Sequence, residues 1–442
     1  MIKQLLSVLF TASIAVTANA QWTAVGTAAF SAGQATFVSL VFNSNDEPYV
    51  TYKDGGNSEK ATVMKFDGTN WVTVGNAGFS AGAAWYTSLA FDSSNVPYVV
   101  YSDYADSQKV TVMKFDGTNW VTVGSAGFSA GAAWYVSLAF NSSNEPYVAY
   151  QDWGNAYKAT VKKFDGTDWV TVGTAGFSAG TAALVSLAIN NNDEPYVVYQ
   201  DWANAEKATV KKFDGTDWVT VGTAGFSAGQ VDYISLVFNN NDEPYVAYRD
   251  NSQKATVKKF DGANWVTVGA AGFSAGRAEY ISLAFKSSNE PYVAYQDWAN
   301  AEKATVKKFD GTNWVTVGAA GFSAEMSWSS LAINSNDELY VAFQDRGNAY
   351  KATVMKFEGP EVGIKNLEVV NNVIAVYPNP VNSVIHFAAQ STVQLSTITG
   401  QIITQQQNVS SLDLSDQSAG VYFLILTDNN GQVIQRTKIV KE

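Results

Sequence analysis

The chain has 442 residues and a formal net charge of −12, with 40 acidic and 28 basic side chains. Nucleic acids and anionic membrane surfaces are bound by clustered Lys and Arg, so this balance argues against both as partners. The sequence contains no cysteine, which excludes a disulfide framework, a thiolate metal site and lipid attachment through cysteine.

The first twenty residues have the pattern of an export signal. Lys3 provides a positive charge, Leu5–Val16 is apolar, and Ala18–Ala20 has the small residues of a cleavage site. We therefore expect residues 1–20 to be a signal peptide, with Gln21 as the first mature residue. A retained anchor helix is the alternative, but neither this run nor any later segment approaches the about 20 apolar residues that span a bilayer.

Seven copies of one unit follow the signal sequence. Each contains four runs rich in Val, Thr, Tyr and Phe, of the types WVTVG, SLAF, PYVAY and ATVKKF, and turn residues separate these runs. No segment keeps a helical period over ten residues. The copies are 49 residues long, except for 47 residues after Trp218. Each copy opens on a tryptophan, and the seven are Trp22, Trp71, Trp120, Trp169, Trp218, Trp265 and Trp314.

Four strands per unit at a period of 40–50 residues are typical of a propeller blade. The sequence therefore predicts an all-β protein with a seven-bladed β-propeller over residues 21–359. The recurring Trp, Phe and Tyr are expected mainly in its core, because each blade meets the same neighbour. The last copy stops at Gly359 without an outer strand, so we expect Trp22–Gly26 to supply that strand and close the ring.

The blade pattern, with NEPYVAYQD followed by VKKFDG, loosely resembles repeats of the NHL type. That resemblance implies the propeller architecture alone, since propellers carry many unrelated functions.

A segment of different composition follows a linker at residues 360–373. It contains strand-like runs, VIAVYP, SVIHF, TVQLSTITG, GVYFLILTDNNG and VIQRTKIVK, which predict a small Ig-like β-sandwich over residues 374–442. The motifs VYPNP, LDLSDQSAGVYFLIL and GQVIQRTKIVKE resemble the type A sorting domain of the type IX secretion system of Bacteroidetes. An ordinary adhesive module is the alternative.

The resemblance implies export across the outer membrane by the type IX machinery, removal of the domain, and release or attachment at the cell surface. The protein is then extracellular or on the outer surface. The residues that carry the motifs are Tyr377, Pro378, Asn379, Pro380, Gly420 and Tyr422.

The propeller copies contain no recognisable catalytic constellation. The single histidine, His386, lies in the C-terminal segment, which excludes a Ser-His-Asp triad or a histidine metal cluster in the propeller. Carboxylates recur in every copy, whereas an active site is normally one asymmetric group, and a sialidase-type motif is absent. Asn- and Asp-rich turns such as Asn43–Glu47 offer oxygens for calcium, but their spacing matches no EF-hand and suits turn formation. We expect no catalytic residues, metal or cofactor.

Aromatic residues vary between copies in two loops that we expect on one face of the propeller. One loop precedes the inner strand and the other carries the Gln-Asp-Trp motif. Rings beside amides and carboxylates suit sugars, because the rings stack on CH faces and the polar groups bind hydroxyls. We expect the Asp in this motif to fix a turn, and the aromatics to contact a ligand or to cover the blade tops. The candidate contacts are Trp85, Tyr86, Trp134, Tyr135, Trp153, Trp202, Tyr233, Tyr280, Trp298 and Trp328.

The sequence thus predicts a secreted or cell-surface binding protein of the lectin or adhesin kind that recognises a glycan or surface polymer multivalently. Two alternatives stay open. A polysaccharide hydrolase or lyase would need an asymmetric pocket with two carboxylates about 5–10 Å apart. A protein-interaction scaffold would show a flat, continuous apolar patch.

Overall fold

The computed structural model describes residues 21–359, 374–397, 401–427 and 433–442. The chain divides into two compact units, Met1–Pro360 and Glu361–Glu442. The expected signal peptide and the expected linker lie outside the described residues. Within the described ranges, no helix has the length and apolar character needed to cross a membrane.

The first unit is a seven-bladed β-propeller, as the repeats predict. Residues 21–359 form seven antiparallel four-stranded sheets, and their inner strands contact one another in a closed ring. The inner strands of blades one to seven are Ala35–Phe42, Ala84–Phe91, Ala133–Phe140, Ala182–Ile189, Asp232–Phe238, Ala278–Phe285 and Met326–Ile333. The second strands are Pro48–Asp54, Pro97–Asp103, Pro146–Asp152, Pro195–Asp201, Pro244–Arg249, Pro291–Asp297 and Leu339–Asp345.

The outer half of each blade is a third strand followed by a short outer strand. The third strands are Lys60–Phe66, Lys109–Phe115, Lys158–Phe164, Lys207–Phe213, Ala255–Phe260, Lys303–Phe309 and Lys351–Glu358. The outer strands of blades one to six are Trp71–Thr73, Trp120–Thr122, Trp169–Thr171, Trp218–Thr220, Trp265–Thr267 and Trp314–Thr316. Single 3₁₀ turns follow the second strands of all blades except blade five, at Gly55–Asn57, Tyr104–Asp106, Trp153–Asn155, Trp202–Asn204, Trp298–Asn300 and Arg346–Asn348.

The N-terminus closes the ring. Gln21–Ala24 is the outer strand of blade seven and pairs antiparallel with Lys351–Glu358, placing Trp22 opposite Phe357. The predicted closure by the first copy is therefore confirmed. The pairing covers the edge of the last third strand, which would otherwise present unpaired backbone groups.

The repeated tryptophans join neighbouring blades. Each indole N–H donates to a valine carbonyl of the preceding copy, at 2.7–3.0 Å. Each ring also stacks on the phenylalanine of the AGFSAG-type loop, with centroids 4.1–4.5 Å apart. All seven are buried. The interpretation of these tryptophans as core residues is confirmed.

Serine side chains accept hydrogen bonds from backbone N–H groups at the inner edge of every blade. An edge strand leaves backbone N–H groups without a sheet partner. Here a leucine N–H of each inner strand donates to a serine Oγ of the preceding blade, at 3.0–3.4 Å. The acceptors are Ser39, Ser88, Ser137, Ser186, Ser235, Ser282 and Ser330.

A second ring of hydrogen bonds links the turns between inner and second strands. In each turn a Ser or Asn N–H donates to the side-chain oxygen of an Asn or Asp in the next blade, at 2.7–2.9 Å. The acceptors are Asp46, Asn95, Asn144, Asp193, Asp242, Asn289 and Asp337. These residues have positive φ, which Asn and Asp tolerate better than most residues.

Two carboxylates in this ring should make the propeller sensitive to acid. Ser142 donates side-chain and backbone hydrogen bonds to Asp193, and Ser287 does the same for Asp337, which lowers the pKa of both carboxyls. A carboxyl with a lower pKa in the folded state stabilises the fold above its unfolded pKa, and this stabilisation is lost as pH falls through the folded value. The melting temperature should therefore decrease when the pH is lowered below about 4.

The matched variant is Asp193→Asn with Asp337→Asn, since Asn already fills this position in blades two, three and six. We expect it to melt like the wild type at pH 7 and to lose less stability than the wild type between about pH 5 and pH 3. Identical pH profiles of the melting temperature would contradict the role given to these carboxyls.

The second unit is a small all-β domain. Its described strands are Val376–Tyr377, Val384–Thr397, Ile402–Asp413, Gly420–Thr427 and Val433–Lys441. The long strand Val384–Thr397 pairs with Ile402–Asp413 along one edge and with the first and fourth strands along the other. Buried side chains, among them Ile385, Leu395, Leu424 and Ile439, form one core.

The sequence predicts two strands at the runs SVIHF and TVQLSTITG. In the structure, both runs contribute to one long strand with register shifts. The strand Ile402–Asp413 was not predicted. It is rich in Gln, Ser and Asn and mostly exposed, with only Leu412 buried, so it shows no alternation of apolar and polar residues.

Candidate ligand-binding face

The two variable loops of each blade lie together at one end of the propeller, as expected. The first residue after the motif Asp donates its N–H to the loop before the inner strand, as in Trp153 to Ala132 at 3.0 Å and Trp202 to Thr181 at 3.1 Å. We call the surface formed by the residues just before the inner strands and by the turns after the second strands the aromatic-loop face.

The Asp of the Asp-Trp motif is a structural residue in blades four and six. Asp201 is 1% exposed. Its Oδ1 accepts from the N–H of Ala203, and its Oδ2 accepts from Asn204 Nδ2 and Thr209 Oγ1, all within 3.1 Å. Asp297 has the same set of partners in blade six. A carboxylate with this many internal donors fixes the turn, which confirms the structural interpretation.

Five of the candidate residues belong to a ring of side chains, the aromatic girdle. Each lies at a bulge of an inner strand and has a φ of 49–57°. The seven girdle positions are Phe37, Tyr86, Tyr135, Leu184, Tyr233, Tyr280 and Trp328. Ring centroids lie 4.4–5.2 Å apart in the pairs Phe37–Tyr86, Tyr86–Tyr135, Tyr233–Tyr280, Tyr280–Trp328 and Trp328–Phe37.

The girdle side chains are half-buried and contact one another from blade to blade. Burial raises the pKa of Tyr86 to about 12 and raises the pKa of Tyr135 in the same direction. These tyrosines therefore remain neutral at ordinary pH, and most of their ring surface is used in packing. Any ligand would reach only their exposed parts.

The remaining candidates lie further out and are much more accessible. Trp85, Trp153, Trp202 and Trp298 are 37%, 50%, 56% and 43% exposed, while Trp134 is partly buried. Tryptophan is highly buried on average in proteins, so rings this accessible are candidates for ligand contact.

Local contacts orient these outer rings. Trp153 stacks on Tyr157 with centroids 5.5 Å apart, and Trp134 meets it edge-on at 5.8 Å. Trp202 donates its indole N–H to Gln200 Oε1 at 3.2 Å. The structure therefore separates the predicted site residues into a packed inner girdle and an exposed outer set on blades two, three, four and six.

Blades five and six carry a polar cavity that departs from the repeat. Blade five lacks the 3₁₀ turn, and its second strand ends at Arg249. Arg249 pairs with Asp232 at 2.5 Å and with Glu279 at 2.9 Å, and Arg277 also pairs with Glu279. A cavity of about 300 Å³ opens here, lined by Gln230, Asp232, Arg249, Asp250, Asn251, Gln253 and Arg277.

The sequence analysis did not identify this cavity. The 47-residue spacing after Trp218 was the available signal, because the missing two residues are those that complete the turn in the other blades.

Clefts between blades also occur on the opposite face, which the sequence analysis did not consider. The cleft between blades three and four has a volume of about 460 Å³ and is lined by residues that include Tyr147, Lys163, Glu194 and Phe213. Equivalent clefts lie between blades seven and one, two and three, and five and six. Their lining repeats that of the blades, in contrast to the variable aromatic-loop face.

The turns considered for calcium use their oxygens internally. Asn43 Oδ1 accepts from the N–H groups of Asn45 and Glu47, and Asn43 Nδ2 donates to Glu47 Oε2. Glu47 Oε1 pairs with Lys65 at 3.2 Å. These contacts are those of a turn former.

The sorting-motif residues hold the ends of the C-terminal domain together. Asn379 Nδ2 donates to the Lys438 carbonyl at 2.7 Å, and Asn379 Oδ1 accepts from the Val440 N–H at 2.9 Å. Pro378 and Pro380 flank this residue, and Tyr377 before them is 53% exposed. Gly420 begins the fourth strand of the domain, where buried Tyr422 donates its hydroxyl to the Ser418 carbonyl at 2.7 Å. His386 is an exposed strand residue opposite Tyr377.

Comparison with known families identifies the C-terminal segment. Residues 375–442 match the family described as the secretion system C-terminal sorting domain. The resemblance noted in the motifs is thus confirmed, and the protein is an exported one, destined for the cell surface or the medium. A comparison with curated proteins gave no match.

Solved structures are similar to this chain at low sequence identity. An ulvan lyase, described as a new family of polysaccharide lyase, has a TM-score of 0.52 and 11% identity, covering 77% of this chain and 96% of its own. Its form bound to -[GlcA(1-4)Rha3S]- has a TM-score of 0.51 and 10% identity over the same shares. A lectin variant from Aleuria aurantia, in complex with Fucα1-6GlcNAc, has a TM-score of 0.46 and 15% identity, covering 66% and 97%.

Together these features define the class: an exported seven-bladed β-propeller with a secretion-system sorting domain. At these identities the structural likeness concerns the fold alone.

Proposed function

We propose that this protein is a lectin-like or adhesin-like binding protein that holds a glycan or surface polymer through the aromatic-loop face. The observation that carries the proposal is the set of exposed tryptophans on several blades, of which Trp202 lies beside Gln200, Trp85 beside Lys53 and Trp298 beside Arg277. A flat ring with an amide nearby can stack on the CH face of a sugar while the amide bonds a hydroxyl.

The arrangement supports binding at several small sites. The exposed tryptophans belong to blades two, three, four and six, and no ring contact within residues 21–359 joins an outer tryptophan of one blade to that of another. A protein partner would instead favour one continuous apolar patch. Repeated weak sites on a rigid ring gain strength by acting together on one polymer.

Four carboxylates of this face do not favour the hydrolase or lyase alternative. Asp201 and Asp297 are held by internal donors, and Asp232 and Glu279 are paired with Arg249. A carboxylate fixed in an ion pair is poorly placed to exchange a proton with substrate. The ulvan lyase shares the fold, which by itself does not transfer an activity.

The test is a binding screen of the full chain against an array of glycans and immobilised polysaccharides, with release of soluble products measured in the same wells. The comparison is a variant with alanine at Trp85, Trp134, Trp153, Trp202 and Trp298. A matched control is Tyr377→Ala, which removes an exposed aromatic from the sorting domain.

We expect binding by the wild type and the control, loss of binding in the fivefold variant, and no product release. Equal binding by the fivefold variant, or no binding by the folded wild type, would contradict the proposal. Soluble products that form with binding would support the lyase or hydrolase instead.

A further inference from the structure

Several departures from the repeat lie close together on the aromatic-loop face, in blades five and six. Blade five is two residues short in the turn after its second strand. Position 249 is Arg, where four of the seven copies have Gln, and position 277 is Arg, which no other copy has at that point. Other copies also depart from the repeat, with Lys53 and Ser102 at the position of Arg249, but the changes in blades five and six surround one cavity of about 300 Å³.

Ion pairs fix the charged side chains around the cavity. Glu279 is 8% exposed and accepts from the guanidinium groups of both Arg249 and Arg277. Arg249 also holds Asp232, so the two arginines and two carboxylates fix one another. Groups locked in this way form a preorganised site, which lowers the entropic cost of binding.

From this geometry we propose that the cavity between blades five and six binds one neutral monosaccharide unit of a glycan through its hydroxyl groups. The inference rests on the proposed glycan-binding function and names the sugar class for this one site.

The lining matches a polyol. Asn251 and Gln253 offer amide donors and acceptors, and Asp232 offers a partly exposed carboxylate. The Arg277 side chain is 39% exposed, so the accessible part of its guanidinium can donate N–H groups to a sugar hydroxyl oxygen.

An apolar surface lies beside these polar groups. The guanidinium of Arg277 lies 4.6 Å from the ring centroid of Trp298, and that ring remains 43% exposed. The volume falls at the lower end of the range typical of small-molecule sites, about 300–1,000 Å³, which suits a single sugar unit.

Charge selects against acidic sugars. In the lining of the cavity Asp232 and Asp250 balance Arg249 and Arg277, and Glu279 paired behind them brings the net charge of these five groups to −1. The whole chain is also negative, at −12. A uronic acid or a sulfated sugar would meet this field unfavourably, whereas a neutral sugar would not.

Two variants restore the repeat at this position and should therefore fold. The first is Arg277→Gln, the residue found at the corresponding points of blades one and five as Gln34 and Gln230. The second replaces residues 250–254 with the seven-residue segment of residues 297–303, which gives blade five the turn of blade six. The control is Gln34→Ala, at the same point of blade one. A further variant, the fourfold tryptophan variant, has alanine at Trp85, Trp134, Trp153 and Trp202 and leaves the cavity intact.

The experiment titrates the full chain with a panel of neutral monosaccharides and with their uronic acids, using ligand-observed NMR and calorimetry. We expect at least one neutral sugar to bind the wild type, the control and the fourfold tryptophan variant, in which the cavity is the remaining proposed site. Introduced into the fourfold variant, each repeat-restoring change should weaken binding of that sugar at least about tenfold, as for a lost charged hydrogen bond.

Unchanged binding in the repeat-restoring variants, tighter binding of a uronic acid, or no monosaccharide binding at all would overturn this inference. The proposed function would survive that result if polysaccharide binding still depends on the outer tryptophans. The converse result is also possible to distinguish. If the cavity binds a sugar but the tryptophan substitutions do not affect polysaccharide binding, the cavity site is supported and the multivalent face is contradicted.

Discussion

Replacing Trp22 with alanine is expected to lower the free energy of unfolding by about 3–5 kcal/mol, the range for large-to-small changes at a buried Trp. Trp22 is 7% exposed, stacks on Phe322 with centroids 4.2 Å apart, and donates to the Val317 carbonyl at 3.0 Å. The change removes both contacts and leaves a cavity at the junction between the first and the last residues of the propeller.

The loss should exceed that of Trp120→Ala, which removes a tryptophan with equivalent contacts. The strand of Trp120 is tied to its sheet by a hairpin, so it can return after a local opening. The strand Gln21–Ala24 has no hairpin to blade seven and is held there by its pairing with Lys351–Glu358 and by the contacts of Trp22. Its release would also expose the edge of that strand and favour aggregation.

Thermal and urea unfolding of the full chain measure both effects. The control is Trp202→Ala, which removes a tryptophan that is 56% exposed and should leave the midpoint close to that of the wild type. If Trp22→Ala unfolded at the same midpoint as Trp202→Ala, closure by the N-terminal strand would contribute little to stability.

The second large effect concerns affinity. Alanine at Trp85, Trp134, Trp153, Trp202 and Trp298 together is expected to weaken binding to an immobilised polysaccharide by about 10²–10⁴-fold, the gain that linked sites provide. Each single substitution should cost much less, because the other sites still hold the polymer. Four of these five rings are well exposed, so the fold should tolerate their removal.

Biolayer interferometry with one polysaccharide from the screen gives the apparent dissociation constants, and melting temperatures check the fold of each variant. A single substitution that weakens binding as much as the fivefold variant would show one dominant site. That outcome would argue against the multivalent face while retaining a role for the residue concerned.

The sequence was most informative where the repeats constrain it. The seven copies predicted seven blades, and the missing outer strand at Gly359 predicted the closure by the N-terminus. These inferences succeed because a repeated blade must bury the same faces at each junction, which requires the same Trp and Phe in every copy. Similarly, the Asp at positions 201 and 297 was correctly separated from the Trp that follows it.

Other features depend on geometry that a pattern does not encode. Tyr86 and Tyr135 are adjacent to Trp85 and Trp134 in sequence, but a bulge turns the tyrosines into the girdle and leaves the tryptophans outside it. The strand Ile402–Asp413 lacks alternation because most of its side chains face solvent. The cavity between blades five and six arises from a deletion and from charges that are far apart in sequence, such as Arg249 and Glu279.

The most direct test of the account is the number of oligosaccharides that one chain binds. Isothermal titration of the full chain with a short oligosaccharide, taken from a polysaccharide that binds in the screen, gives this number. The multivalent face predicts more than one bound oligosaccharide per chain, and a lower number when the five tryptophans are alanine. A stoichiometry of one oligosaccharide per chain that those substitutions do not change would contradict the multivalent face.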